Sequence, residues 1–192
     1  MNERNQQKIR VWDPLVRLFH WFLAACFLIA YVVEDDRLNL HVLVGSIVFG
    51  LVMFRLIWGF MGAEHSRFAD FICSSKQLIQ HLRDLVCLRP AQHTGHTPIG
   101  GIMIVLLLFG LLLLSLSGVM LYALEGAQLP FAGLMSGVDL DTTILIEHAH
   151  GWFANLLMLL VLFHIAGVLF ESLLQKQNLI RSMITGYKKE NR

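Results

Sequence analysis

Four stretches of the chain contain no Asp, Glu, Lys or Arg: Leu18–Val33, Leu38–Phe54, Pro90–Leu124 and His148–Phe170. A helix needs roughly 20 mostly apolar residues to cross the hydrocarbon core of a bilayer, and each stretch supplies them once its flanks are counted. The pattern predicts four membrane-spanning helices over Leu15–Val33, Leu40–Phe60, Ile99–Ala123 and His148–Glu171, within one membrane domain covering residues 1–192. The connection between the second and third spans is not plain coil. Phe68, Phe71, Ile72, Leu78, Ile79, Leu82, Leu85 and Val86 recur near helical spacing among Lys76, Arg83 and Asp84, which predicts an amphipathic interfacial helix within residues 68–88. The fold class is all-α, an integral membrane four-helix bundle.

Composition supports this and removes other classes. Of 192 residues, 56% are hydrophobic and 15% charged, with a mean hydropathy of +0.61. A water-soluble domain carries about a quarter charged residues, so too little polar surface is present for one. A net charge of +1, with no large basic run outside the membrane flanks, argues against nucleic-acid binding. The first apolar stretch follows Arg4, Lys8 and Arg10, as in a secretory signal, but no small-x-small cleavage site closes it, so it counts as a span. Cys26, Cys73 and Cys87 are too few and scattered for a disulfide framework, and none lies in a C-x-x-C-H motif, so any haem would be held non-covalently. No Ser-His-Asp, H-E-x-x-H or phosphate-loop arrangement appears, and no catalytic residue is assigned.

Basic residues of short flanks stay on the cytoplasmic side. Arg4, Lys8, Arg10 and Arg17 precede span one; Arg67, Lys76, Arg83 and Arg89 lie in the 62–98 connection; Lys176, Arg181, Lys188, Lys189 and Arg192 follow span four. The other two connections carry Glu34, Asp35 and Asp36 against one Arg37, then Glu125, Asp139, Asp141 and Glu147 with no base. The bias alternates without exception and predicts both termini in the cytoplasm. Trp12, Trp21, Trp58 and Trp152 fall near span ends, as an aromatic belt requires.

Ionisable side chains inside spans are costly and need partners, which draws attention to His20, His41, His150 and His164. His150 and His164 are 14 residues apart, about 3.9 helical turns, so they share a face and differ in depth by about 21 Å. His148 is about 4.4 turns from His164 and falls on the far face. By depth His20 matches His164 near the inner side, and His41 matches His150 near the outer side. Two imidazoles facing each other in a bundle core suit the axial positions of a haem iron, so the pairs His20/His164 and His41/His150 predict two haems and a transmembrane electron path. Arg55 follows His41 by 14 residues, on the same face at the inner level, where a haem propionate would satisfy it; snorkelling to headgroups also fits. Gly45, one turn beyond His41, and Gly50, Gly110 and Gly118 let a macrocycle or a neighbouring helix approach, and pure helix packing is the simpler explanation for them. His65, His81 and His93 are expected to be solvated.

These residues sit in segments that resemble the bacterial cytochrome b561 family, which includes the cytochrome b subunits of nickel-iron hydrogenases. The matching pieces are VWDPLVRLFHW around His20, LHVLVGSIVFGLVMFRLIWGF from His41 past Arg55, SRFADF at 66–71, GHTPIGG from Gly95, SGVMLY at 117–122, HGWFANL from His150, HIAGVLFES from His164 and MITGYKK at 183–189. The resemblance implies the same two histidine pairs, each holding one haem b. It also implies electron exchange in the bacterial inner membrane between quinone or quinol and a periplasmic partner, either a c-type cytochrome or a hydrogenase. His96 is a possible quinone or haem-edge contact, although Thr97 stands where the family commonly has Asn, and a polar cap on span three explains His96 as well. A histidine-based metal or proton transporter is the alternative from another class. It calls for carboxylates within spans, and Leu40–Phe60 and Ile99–Ala123 contain none.

Overall fold

The structure, a computed structural model, describes residues 8–33, 37–62, 67–70, 74–87, 97–126, 133 and 137–189. In order these form strand β1 (Lys8–Arg10), helices α1 (Pro14–Val33) and α2 (Leu38–Met61), a short 3-10 turn (Phe68–Asp70), and helices α3 (Ser75–Val86), α4 (Pro98–Leu124), α5 (Leu140–Leu174) and α6 (Leu179–Thr185), then strand β2 (Tyr187–Lys189). Four helices, α1, α2, α4 and α5, are long and apolar enough to cross a membrane. The all-α membrane architecture expected from the charge-free stretches is therefore present, and α3 falls inside the segment read as amphipathic.

Capping chemistry sets where several helices begin. Asp13 accepts the Leu15 amide at 2.9 Å ahead of Pro14, and Thr97 accepts the Gly100 amide at 3.1 Å ahead of Pro98. In both places a polar side chain satisfies a free N–H, and proline occupies the first helical position, where its missing N–H costs nothing. The largest difference from expectation is α5, which begins at Leu140 rather than near His148 and has 35 residues. Asp139 caps it: the carboxylate accepts from the Thr142 amide at 3.3 Å, and these bonds from Thr142 hold the Asp139 carboxyl below its usual range. At about 52 Å the helix exceeds a hydrocarbon core of about 30 Å, because a polar first segment can continue in water once capped. The acids Asp141 and Glu147 marked the end of the hydrophobic stretch, not the end of the helix.

The chain divides into two compact units. One comprises Trp21–Arg55 and Leu106–Val161, and its centre is apolar, with Val52 fully buried and Leu157 2% exposed. Leu157 of α5 lies against Gly110 of α4, where an added Cβ would come within 2.8 Å of it, so Gly110 is a packing glycine. Many large apolar side chains on these helices point outward, Val32 and Phe109 among them, as lipid-facing surfaces must.

The other unit comprises Met1–His20, Leu56–Val105 and Leu162–Arg192, and its interior is more polar. Here β1 and β2 pair antiparallel, with Ile9 opposite Lys188, so an early segment of the chain is joined to a late one. Trp12 is 8% exposed, donates its indole N–H to Ser182 Oγ at 3.3 Å, and lies 5.5 Å beneath the Lys188 ammonium. It is a buried clasp residue rather than a member of an aromatic belt, since the partner strand covers it. Gly186 closes α6 at φ 89° while its carbonyl accepts the amides of Val11 and Trp12, and a Cβ there would meet the Trp12 carbonyl at 3.1 Å. Only glycine tolerates both constraints.

Replacing Trp12 by Ala removes a buried aromatic and its cation–π contact, an expected loss of about 3 kcal/mol. The thermal midpoint of the detergent-solubilised protein should fall clearly, and protease should remove the tail beyond residue 178 sooner; an unchanged midpoint and digestion pattern would show that the clasp contributes little.

Candidate functional site

The four span histidines meet in two pairs. His41, from the first turn of α2, faces His150 of α5 with ring centroids 6.1 Å apart and ring planes at 73°. His20 of α1 faces His164 of α5 at 6.4 Å and 56°. A metal–imidazole bond is about 2.0 Å and a ring centre lies about 1.1 Å behind its nitrogen, so two imidazoles on opposite sides of one ion have centroids about 6.2 Å apart. Both pairs have that spacing. Direct packing of the rings does not require it, and aromatic contacts range over about 4.5–7 Å.

Hydrogen bonds aim the rings of the first pair. His41 Nδ1 lies 3.0 Å from the Ala30 carbonyl, which can only accept, so Nδ1 carries the proton. Ser117 Oγ donates its hydrogen to the Leu114 carbonyl at 2.8 Å and lies 2.8 Å from His150 Nδ1, so that nitrogen also donates. In each ring the bond at Nδ1 fixes the tautomer and leaves Nε2 as the lone-pair nitrogen, the arrangement by which proteins orient imidazole ligands. Ser117 was not singled out from sequence; a hydroxyl one residue before Gly118 in an apolar span was the available signal.

Beside these rings is a cleft with about 600 Å³ of atom-free space, part of it open to the surroundings, lined by Phe27, Ala30, Gly45, Gly118, Val119 and Tyr122 as well as both histidines. Gly45 has no atom within 4 Å of where a Cβ would stand, and a Cβ on Gly118 would come within 3.1 Å of His150 Cε1. Gly45 therefore opens the cleft and Gly118 makes room for the imidazole. Gly50 is exposed with nothing near it. His148 is exposed, whereas His150 is half-buried. Arg55 is 4% exposed on α2, so its guanidinium does not snorkel to solvent. His96 lies outside the described residues, as do His65 and His93.

His81 departs from expectation. It is 5% exposed on α3 and its Nε2 is 3.8 Å from Glu171 Oε1. The amphipathic face of α3 carries it inward, which a count of polar residues in a connection could not reveal. Among the described residues no three His, Cys, Asp or Glu converge, so the histidines meet as pairs rather than as the three- or four-ligand shell of an ion site.

Comparison with known proteins gives this geometry a context. A sequence model described as prokaryotic cytochrome b561 matches residues 11–186, nearly the whole chain. The chain belongs to the prokaryotic cytochrome b561 family. It is a multi-pass inner-membrane cytochrome b, and the family's cofactor is haem b. A protein of Azotobacter chroococcum named probable Ni/Fe-hydrogenase B-type cytochrome subunit is 23% identical, covering 96% of this chain and 90% of that one. No solved structure matches the chain.

The paired imidazoles, with Nδ1 of His41 and of His150 engaged in hydrogen bonds, and the glycine-lined cleft beside them fit a haem held by axial histidines. Gly45→Leu, which fills the cleft, and Gly118→Val, which pushes the His150 ring away, should each lower the haem b bound per chain, read from the pyridine haemochrome of purified protein. Full haem content in both variants would dissociate the cleft from the cofactor.

Proposed function

We propose that this cytochrome b561 holds two b haems and carries electrons across the cytoplasmic membrane between the quinone pool and a redox protein on the periplasmic side. The observation that carries the reading is the spacing of the two imidazole pairs, 6.1 and 6.4 Å, each matching two axial ligands of one iron. A bound haem supplies a one-electron iron couple whose potential is set by its axial ligands and surroundings. The protein's part is to hold the rings in the correct tautomer, to keep water from the pairs and to neutralise the propionates. His41 and His150 ligate one iron and His20 and His164 the other, while Arg55 has the burial and charge to pair with a propionate. The chain acts as one membrane domain, with His150 and His164 on the single continuous helix α5.

Orientation follows the Lys/Arg bias, with the paired strands β1 and β2 in the cytoplasm. Glu125, Asp139, Asp141 and Glu147 are exposed and would then face the periplasm, where they attract a basic partner such as a c-type cytochrome. A second reading, electron exchange with a nickel-iron hydrogenase, is favoured by the name of the Azotobacter chroococcum relative. Reduction of the haems by hydrogen in membranes of the native host, abolished when the protein is expressed alone, would select it; reduction by quinol alone, followed by oxidation by a basic c-type cytochrome, selects the first.

Purified protein should contain two b haems per chain. His41→Ala and His150→Ala should each remove one, His20→Ala and His164→Ala the other, and His148→Ala neither. A colourless preparation from haem-replete cells, or loss of haem in His148→Ala with both retained in His150→Ala, would refute the assignment.

A further inference from the structure

The unit that holds His20 and His164 carries a half-buried carboxylate, Glu171, among polar neighbours. Glu171 follows His164 by seven residues on α5, about 1.9 turns, so it lies on nearly the same face about 10 Å further along the axis. Its side chain is 17% exposed. Polar groups from α3, from the start of α4 and from β2 surround it. Thr97, at the start of α4 and 5% exposed, donates its hydroxyl to Oε1 at 2.7 Å. Gln175, one turn on, reaches Oε2 with its amide at 3.5 Å, and His81 brings Nε2 to 3.8 Å from α3. Lys188 of β2 is 8% exposed; burial lowers the affinity of its ammonium for its proton, and the charge of Glu171 opposes that shift.

This cluster is more than a hydrogen-bonded packing contact. The Thr97 hydroxyl accepts the Gly100 amide while it donates to Glu171, so its orientation is fixed by the helix cap and it stabilises the ionised carboxylate. Glu171 and His81 bring a carboxylate and an imidazole together away from bulk water, with side chains 17% and 5% exposed. A unit charge added about 10 Å away changes the proton affinity of such a group by roughly tenfold at an effective dielectric constant of about 20.

We propose that Glu171, partnered by His81 and held by Thr97, is a redox-linked proton site. When an electron from a quinol-class donor arrives at the His20–His164 pair, one proton is taken from water onto a Glu171 carboxylate oxygen, forming a single O–H bond. When the electron leaves, that bond breaks and the proton returns to water. The added negative charge is thereby matched by an added positive one, and no other bond changes. The inference rests on the reading that His20 and His164 ligate a haem.

The experiment is a spectroelectrochemical titration of the purified, haem-loaded full chain over a range of pH. One of the two midpoint potentials should fall as pH rises, with a slope reaching about 30 mV per pH unit at its steepest and a total change of about 59 mV for a tenfold coupling. Glu171→Gln, which keeps the shape and hydrogen bonds, should retain both haems and flatten that slope, whereas Glu171→Asp, which keeps the acid, should restore it. A packing role alone would predict the reverse order of damage. Reduced-minus-oxidised infrared spectra of the parent should show the C=O band of a newly protonated carboxyl, shifted in D2O and absent in Glu171→Gln. Potentials independent of pH in the parent, a slope unchanged in Glu171→Gln, or no carboxyl band in the parent would each overturn the proposal while leaving the haem assignment intact. Full haem retention in His20→Ala and His164→Ala would overturn the ligand assignment and the proton site with it.

Discussion

An imidazole placed inside an apolar helix must be met by something that compensates for its lost hydration, and that requirement organises the structure around α5. This helix contributes one ring to each histidine pair and packs against partners from α1, α2 and α4. In the His41/His150 pair the compensation is visible atom by atom. The Nδ1 hydrogens go to Ala30 and Ser117, which leaves Nε2 of each ring as the lone-pair nitrogen. A lone pair kept out of the backbone hydrogen bonding in this way is available to a cation, so the pair is a good ligand set.

The remaining features read as support for these pairs. Gly118 permits the His150 ring its position, and Gly45 leaves the adjoining space open. Gly110, by contrast, accommodates Leu157 and belongs to ordinary helix packing. The same residue type thus serves three purposes, separated only by what stands within 4 Å of where a Cβ would be. The unit that holds His20 and His164 solves a different problem. Its apolar residues are joined by Trp12, Thr97, His81, Glu171 and Lys188, all buried or half-buried. Buried charge of this kind is destabilising unless it is paired, and it is retained where charge moves.

Membership of the cytochrome b561 family gives the chain haem b and a place in the inner membrane. It does not choose the protein to which the electron passes. The exposed acids at Asp139, Asp141 and Glu147 bear on that choice, because α5 carries two of them on a capped extension beyond the apolar segment, where a partner could reach them. Electrostatic steering between such a surface and a basic protein acts mainly on association rate.

The spans, their number and the four histidines that share them were legible in the sequence, because the absence of charge over some 20 residues is a local property and helical periodicity places His150 and His164 on one face without reference to anything else. The amphipathic segment was legible for the same reason. What the sequence could not reveal depends on residues distant along the chain. Trp12 looked like an interfacial aromatic until β2 covered it, His81 looked solvated until α3 turned it toward Glu171, and α5 began two turns early because Asp139 capped it. Periodicity reports the face a residue occupies on its own helix. Only the packing of one helix on another decides what that face meets, and therefore whether a polar side chain ends in water, in a hydrogen bond or beside a redox centre.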